Sequence, residues 1–91
     1  MNRSDLVDEI ARRNHLPRRT ADVAVGMVFT SISDALVGGD RIEIRGFGSF
    51  APREYEGYTG RNPKTGKAVT VSSKRLPFFR VGKELRQLVD G

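Results

Sequence analysis

Apolar and polar residues change period along the chain, and each change marks an element. Asn2 places a side-chain acceptor three residues before Asp5, and Leu6, Val7, Ile10 and Ala11 then recur at helical spacing, which predicts a short helix to about Asn14. Leu16-Pro17 interrupts it, and Pro17 suits the start of a second helix because its missing N–H would have no partner there. In that second helix Ala21, Val25, Val28, Ile32, Ala35 and Leu36 step by fours and threes. Ala24, Met27 and Phe29 widen the stripe beyond what one neighbouring helix covers. Two packing partners are expected for it, one of them from another chain.

Gly38-Gly39-Asp40 ends the helical period, and Arg41-Ile42-Glu43-Ile44-Arg45 alternates with period two, predicting a strand with Ile42 and Ile44 toward a core and the charges away from it. Gly46-Phe47-Gly48-Ser49-Phe50 fits a tight bend into a second strand that continues through Arg53 and Tyr55, with phenylalanines supplying core volume. Tyr58 to Val71 lacks the apolar content of a core strand, yet Val69 and Val71 keep strand spacing and Asn62-Pro63-Lys64-Thr65-Gly66 is rich in turn formers. A protruding hairpin is predicted. Ten steps separate Arg53 from Pro63, a reach of roughly 33 Å at strand spacing. Leu76-Pro77-Phe78-Phe79 returns to the core, and Gly82 precedes a short helix over Lys83 to Val89 with Leu85, Leu88 and Val89 on one side. The free N–H groups at the start of that helix favour a nearby anion. The fold class is α+β.

Composition adds a shortage. The 91 residues hold no cysteine, no Trp and seven aromatics, and 37% of the chain is hydrophobic. A chain this short buries only about 60% of its unfolded surface. Disulfides, a CxxC pair and Cys-ligated zinc are excluded, and His15 alone cannot build a metal site. Dimerisation is the stabiliser that remains, and no cofactor is expected. The N-terminus has no apolar run of the signal-peptide kind, and no uninterrupted run approaches the roughly 20 residues that span a bilayer. A soluble cytoplasmic protein with no membrane partner is expected.

Charge placement then points to a polyanion. The 16 Lys and Arg exceed the 11 Asp and Glu by five, but nine of the acids lie at or before Glu56 and none between Gly57 and Lys83. That acid-free segment carries Arg61, Lys64, Lys67, Lys74, Arg75, Arg80 and Lys83, while the rest of the chain is near neutral or slightly negative. Enzyme motifs fail on context. Gly46 to Ala51 fits G-x-G-x-x-[GA], but Pro52 and a charged strand follow where a helix is required. Gly60 to Lys67 has five residues between its glycines where a phosphate loop has four, and Ala68 stands where a magnesium-binding hydroxyl is needed. His15 has no nucleophile or carboxylate partner in the pattern. The Asn2-Arg3-Ser4 sequon lacks a secretory context. The tip Gly60-Arg61-Asn62-Pro63-Lys64-Thr65-Gly66, by contrast, suits a loop pressed on nucleic acid. Arg61 and Lys64 can reach phosphates or a groove, Asn62 can hydrogen-bond base edges, and Pro63 is a rigid apolar wedge.

Three strings carry a family resemblance: Gly39 to Phe50, Thr59 to Gly66, and Pro77-Phe78 with Gly82-Lys83-Glu84-Leu85. On these residues the whole chain resembles the HU and integration host factor family of bacterial DNA-bending proteins. The resemblance implies one domain over 1–91, with a helical dimerisation base at 1–37, a three-stranded antiparallel β-saddle at 41–80 bearing an arm at about 53–75, and a C-terminal helix at 82–89. It implies an intertwined dimer with a core including Val25, Val28, Phe29, Ile32, Phe47, Phe50 and Phe79. Two arms would enter the minor groove of double-stranded DNA, where Pro63 intercalates between base steps, with Arg61 and Asn62 beside it. Arg53, Lys64, Lys67, Lys74 and Arg75 would line the arms, Arg80, Lys83 and Arg86 would hold phosphates at the body, and Arg3 would touch a flank. The implied function is a histone-like, nucleoid-associated protein that bends and compacts DNA.

Within the family, Arg45 with Glu43 and Leu16-Pro17 look more like the beta subunit of integration host factor than HU. A site-specific bender, as one subunit of a heterodimer, is therefore the alternative to an HU-like homodimer. A protein-interaction module with a basic hairpin is the alternative from another class. Tyr58 stands where an Arg is common before the arm-tip motif, and Glu54 and Glu56 put negative charge at the arm root. Gly91 follows the last helix closely, so no C-terminal tail is expected to add contacts.

Overall fold

The computed structural model describes residues 1–91, which form two compact units, Met1–Asp34 and Ala35–Gly91. In the first, α1 (Arg3–Asn14) begins in a reciprocal capping box, the Asn2 side chain accepting from the Asp5 N–H and the Asp5 carboxylate accepting from the Asn2 N–H, both at 2.9 Å. It ends at His15, whose N–H bonds the Ala11 carbonyl and whose left-handed φ of 52° turns the next N–H, that of Leu16, onto the same carbonyl at 3.0 Å. His15 is thus a helix terminator, in line with its place before Leu16-Pro17. α2 (Arg18–Val37) starts directly after Pro17. Arg18 ties the helices together by donating to the Asp8 carboxylate at 2.7 Å and to Ser4 Oγ at 2.8 Å.

Between them, Val7, Ala21 and Val25 are buried, with Leu6, Ile10 and Ala11 packed around them. These three are the only buried hydrophobic side chains in the protein. Further along the α2 stripe Ile32, Ala35 and Leu36 are half-buried, whereas Met27 is 65% and Val28 57% exposed, with Phe29 exposed beside them. Val25, expected in a dimer core, is instead already covered inside its own unit, because it is the α2 position facing Val7. Although no uninterrupted apolar run approaches a membrane span, α2 as a whole, with 20 residues and an 18-residue stretch of mean hydropathy 1.4, reaches that length and composition. Counting uninterrupted runs missed it because Gly26, Thr30, Ser31 and Ser33 break the runs without adding charge. A helix whose apolar face is covered by another subunit has the same composition.

In the second unit, β1 (Ile42–Ile44), β2 (Gly48–Tyr55) and β5 (Lys74–Val81) form an antiparallel sheet in the order β1-β2-β5. The register sets Ile42 opposite Phe50, Phe50 opposite Phe79, and Pro52 opposite Pro77. A proline pair of this kind fits only where neither N–H is needed by the facing strand; β1 has ended by then and β5 is an edge. The bend from β1 to β2 uses two glycines for different reasons. Gly46 has φ of 83°, whereas a Cβ on Gly48 would lie 2.6 Å from the Phe79 ring. β3 (Tyr58–Arg61) and β4 (Ala68–Val71) pair only with each other, forming a separate two-stranded hairpin. α3 (Lys83–Asp90) closes the chain, held by Gly82 N–H on the Phe47 carbonyl and Leu85 N–H on the Gly46 carbonyl.

Glu9 accepts from Arg13 and Arg12, and these hydrogen bonds, Arg13's first, hold its carboxyl below the usual 4.5. A depressed carboxylate contributes stability above its unfolded value that is lost as pH falls through its folded value. Glu9→Gln should lower the melting temperature slightly near neutral pH, and the gap from the parent should close well below pH 4.5 in thermal melts.

Candidate nucleic-acid interface

Strand alternation divides the three-stranded sheet into unlike faces. Ile42, Phe50, Pro52, Pro77 and Phe79 share one, with the Phe50 and Phe79 rings 4.8 Å apart and Phe47 5.7 Å from Phe79. Glu43, Ser49, Ala51, Arg53, Tyr55, Lys74, Leu76, Phe78 and Arg80 share the other. On this second face the Arg53 guanidinium lies 4.8 Å from the Phe78 ring centroid and 5.6 Å from that of Tyr55, so its charge is held flat against the sheet. Leu76 and Phe78, expected to return to the core with Phe79, lie on the face opposite it, because adjacent strand residues alternate; the signal available for Phe78 and Tyr55 was their period-two spacing from Arg80 and Arg53.

Lys74 and Arg75, grouped in sequence as arm cations, part company here. Adjacent strand residues take opposite faces, and Arg75 lies beside Glu54 in the register and donates to the Val37 carbonyl at 2.9 Å. Arg75 therefore caps the end of α2, a structural task that Lys74 does not share.

The ladder breaks between the sheet and the hairpin. Tyr55 pairs with Lys74 and pairing resumes only at Tyr58 with Val71. Gly57 sits in the gap so close to the opposite strand that a Cβ would lie 2.6 Å from the Val71 carbonyl oxygen and 2.8 Å from the Ser73 nitrogen. Beyond the gap the hairpin carries Arg61 to a tightly bonded tip. Asn62 N–H donates to the Lys67 carbonyl at 2.9 Å, Gly66 N–H donates to the Asn62 carbonyl at 2.7 Å, and Gly66 has φ of 71°. Asn62 Oδ1 accepts from the Lys64 N–H at 2.8 Å, and Thr65 Oγ1 accepts from the Lys67 N–H. The Asn62 side chain thus spends its acceptor inside the tip and keeps its Nδ2 donors, the half that suits acceptor-rich minor-groove base edges. Pro63 is exposed at the apex, and Lys64 and Lys67 are exposed beside it.

At the body, Arg45, Glu43, Ser49, Arg80 and the Gly46 and Gly82 backbone line an open cleft of about 410 Å³. The α3 N-terminus, expected to favour an external anion, is partly occupied from within: Leu85 N–H is taken by Gly46, and the Glu84 carboxylate lies against Gly46. Lys83 and Arg86 are exposed on α3. Arg3 belongs to the helical unit, where it pairs with the Asp22 carboxylate at 2.6 Å.

An exposed cationic sheet face, a basic hairpin with a rigid apolar apex, and a groove-matched donor together define a DNA-binding architectural protein. A profile described as Bacterial DNA-binding protein matches residues 1–90. The integration host factor subunit beta of Dechloromonas aromatica is 50% identical over 91 residues, covering 99% of this chain and 97% of that one. Among solved structures, an Anabaena HU–DNA cocrystal structure superposes with a TM-score of 0.88 at 36% identity, covering 98% of this chain and 97% of that one. A mutant of HU from Thermotoga maritima gives 0.73 at 26% identity, covering 98% and 99%. The chain belongs to this family of bacterial DNA-binding proteins, that of HU and integration host factor.

Because Arg75 serves the Val37 carbonyl, Arg75→Gln should cost about 1 kcal/mol of stability. Chemical denaturation checks the loss, which Lys74→Gln should not reproduce.

Proposed function

We propose that this DNA-binding, DNA-bending architectural protein works as a dimer whose arms enter the minor groove of double-stranded DNA, where each Pro63 wedges between base steps and kinks the duplex. The observation that carries this reading is the tip itself: Pro63 exposed at the apex of a hairpin that pairs only with itself, flanked by Arg61 and by an Asn62 whose oxygen is turned onto the Lys64 N–H. A wedge must offset a few kcal/mol of unstacking per step and a bend costing up to about 10 kcal/mol. The offset comes from phosphates gathered along the flanks. Arg53, Lys64, Lys67 and Lys74 serve that role on the sheet and arm, Arg80, Lys83, Arg86 and Arg45 at the body, and Arg3 at a flank.

Dimerisation rests on the apolar surface of α2, with Val28, Phe29 and Ile32 and the exposed Met27 beside them, and on Phe47, Phe50 and Phe79 of the sheet. The family relation supports action at the nucleoid, in the cytoplasm, by compacting and organising DNA. The relation to an integration host factor beta subunit favours a second reading, a site-specific bender built from this chain and a related subunit.

End-to-end energy transfer on a doubly labelled duplex of about 35 base pairs tests the mechanism. Transfer should rise on titration with this chain and weaken with salt, with log K falling against log salt at a slope near −7 for about eight neutralised phosphates. Pro63→Ala should keep the parent's circular dichroism and bend less; equal transfer would remove the wedge. A parent that binds only after a related subunit is added would favour the heterodimer. Val28→Asp should abolish the folded dimer in sedimentation by burying a charge at the shared face, and a well-folded monomeric variant would refute obligate dimerisation.

A further inference from the structure

The arm has an apolar side that the cationic reading does not use. Register sets Tyr58 opposite Val71 and Gly60 opposite Val69, so these four share one face, while Thr59, Thr70, Arg61 and Ala68 share the other. A Cβ on Gly60 would lie 3.6 Å from the Tyr58 ring, so the ring lies across the glycine and is held along the strand. Tyr58 is nevertheless 65% exposed and Val69 43%. Because the hairpin pairs with no other strand, no sheet continues this face. Tyr58, Val69 and Val71 line one shallow groove of about 300 Å³ together with Arg61, Asn62 and Pro63, so the apolar strip and the wedge open onto the same groove.

We infer that this strip packs against the deoxyribose walls of the DNA minor groove, and that Tyr58 is a positioning residue that seats the arm by an uncharged contact. The inference rests on the minor-groove reading above and assigns the length of arm behind the wedge. Sugar rings are the least polar part of a duplex exterior, and a groove about 6 Å wide brings them against both sides of an inserted hairpin. The groove shared with Pro63 selects this occupant: a wedge between base steps carries the residues behind it along the groove walls. An aromatic ring there adds affinity by removing apolar surface from water, and it releases no counterion.

The two kinds of contact separate in a salt titration. Duplex affinity would be measured for the parent, Tyr58→Phe, Tyr58→Ser and Tyr58→Arg at several salt concentrations. Tyr58→Ser should bind about tenfold more weakly at every salt, giving a line parallel to the parent's. Tyr58→Phe keeps the ring and should stay within about twofold. Tyr58→Arg should steepen the slope by about 0.9 per arm, as a new phosphate contact would. Parent-like binding by Tyr58→Ser overturns the inference and leaves the wedge mechanism standing. An equal loss in Tyr58→Phe would assign the contact to the hydroxyl and overturn it too. A change of DNA-free oligomeric state in Tyr58→Ser would make the strip a contact between copies of this chain. A parent that binds no duplex at all overturns the minor-groove reading together with this one.

Discussion

The period-two ladder between β2 and β5 is the constraint on which the sheet unit depends. One register, Phe50 opposite Phe79 and Arg53 opposite Leu76, puts an aromatic cluster on one face and a cationic surface on the other. A slip by one residue would mix the two, setting Arg80 on the Phe50 face and Phe79 on the Arg53 face. The Gly48 backbone, against which the Phe79 ring closes, and the Pro52–Pro77 pair each fit only this alignment. The sheet's packing and its charge display are therefore one property.

Much of this was legible in the chain because it depends on local chemistry. The Asn2 and Asp5 cap, the Gly46 bend and the isolated hairpin about Asn62-Pro63 follow from short-range rules about caps, positive φ and turn formers. What escaped was long-range. Arg75 reads as one more arm cation until the fold brings Val37 within hydrogen-bonding distance of it. Val25 reads as a surface for a partner until Val7 covers it. The division of labour in Asn62 depends on which backbone N–H its side chain meets, which composition does not specify.

Poverty of core explains why so much apolar surface remains. With only Val7, Ala21 and Val25 buried, the single chain leaves large side chains open on α2, on the sheet and on α3. Exposed patches of this extent mark surfaces made for association. The capping box and the Arg18 clamp shape the helical unit, but exposed polar contacts contribute little each, and burial on assembly has to supply the remainder.

The gap at Gly57 has a mechanical consequence. A continuous ladder would pass any torque at Pro63 straight into the Phe50–Phe79 cluster. The interruption between the Tyr55–Lys74 and Tyr58–Val71 pairs leaves no continuous ladder to carry that torque across the joint. On the proposed wedge mechanism, an arm hung on such a joint shares the work of kinking with grips along the DNA on either side, so that the tip sets where the helix folds and the body's cations hold it there.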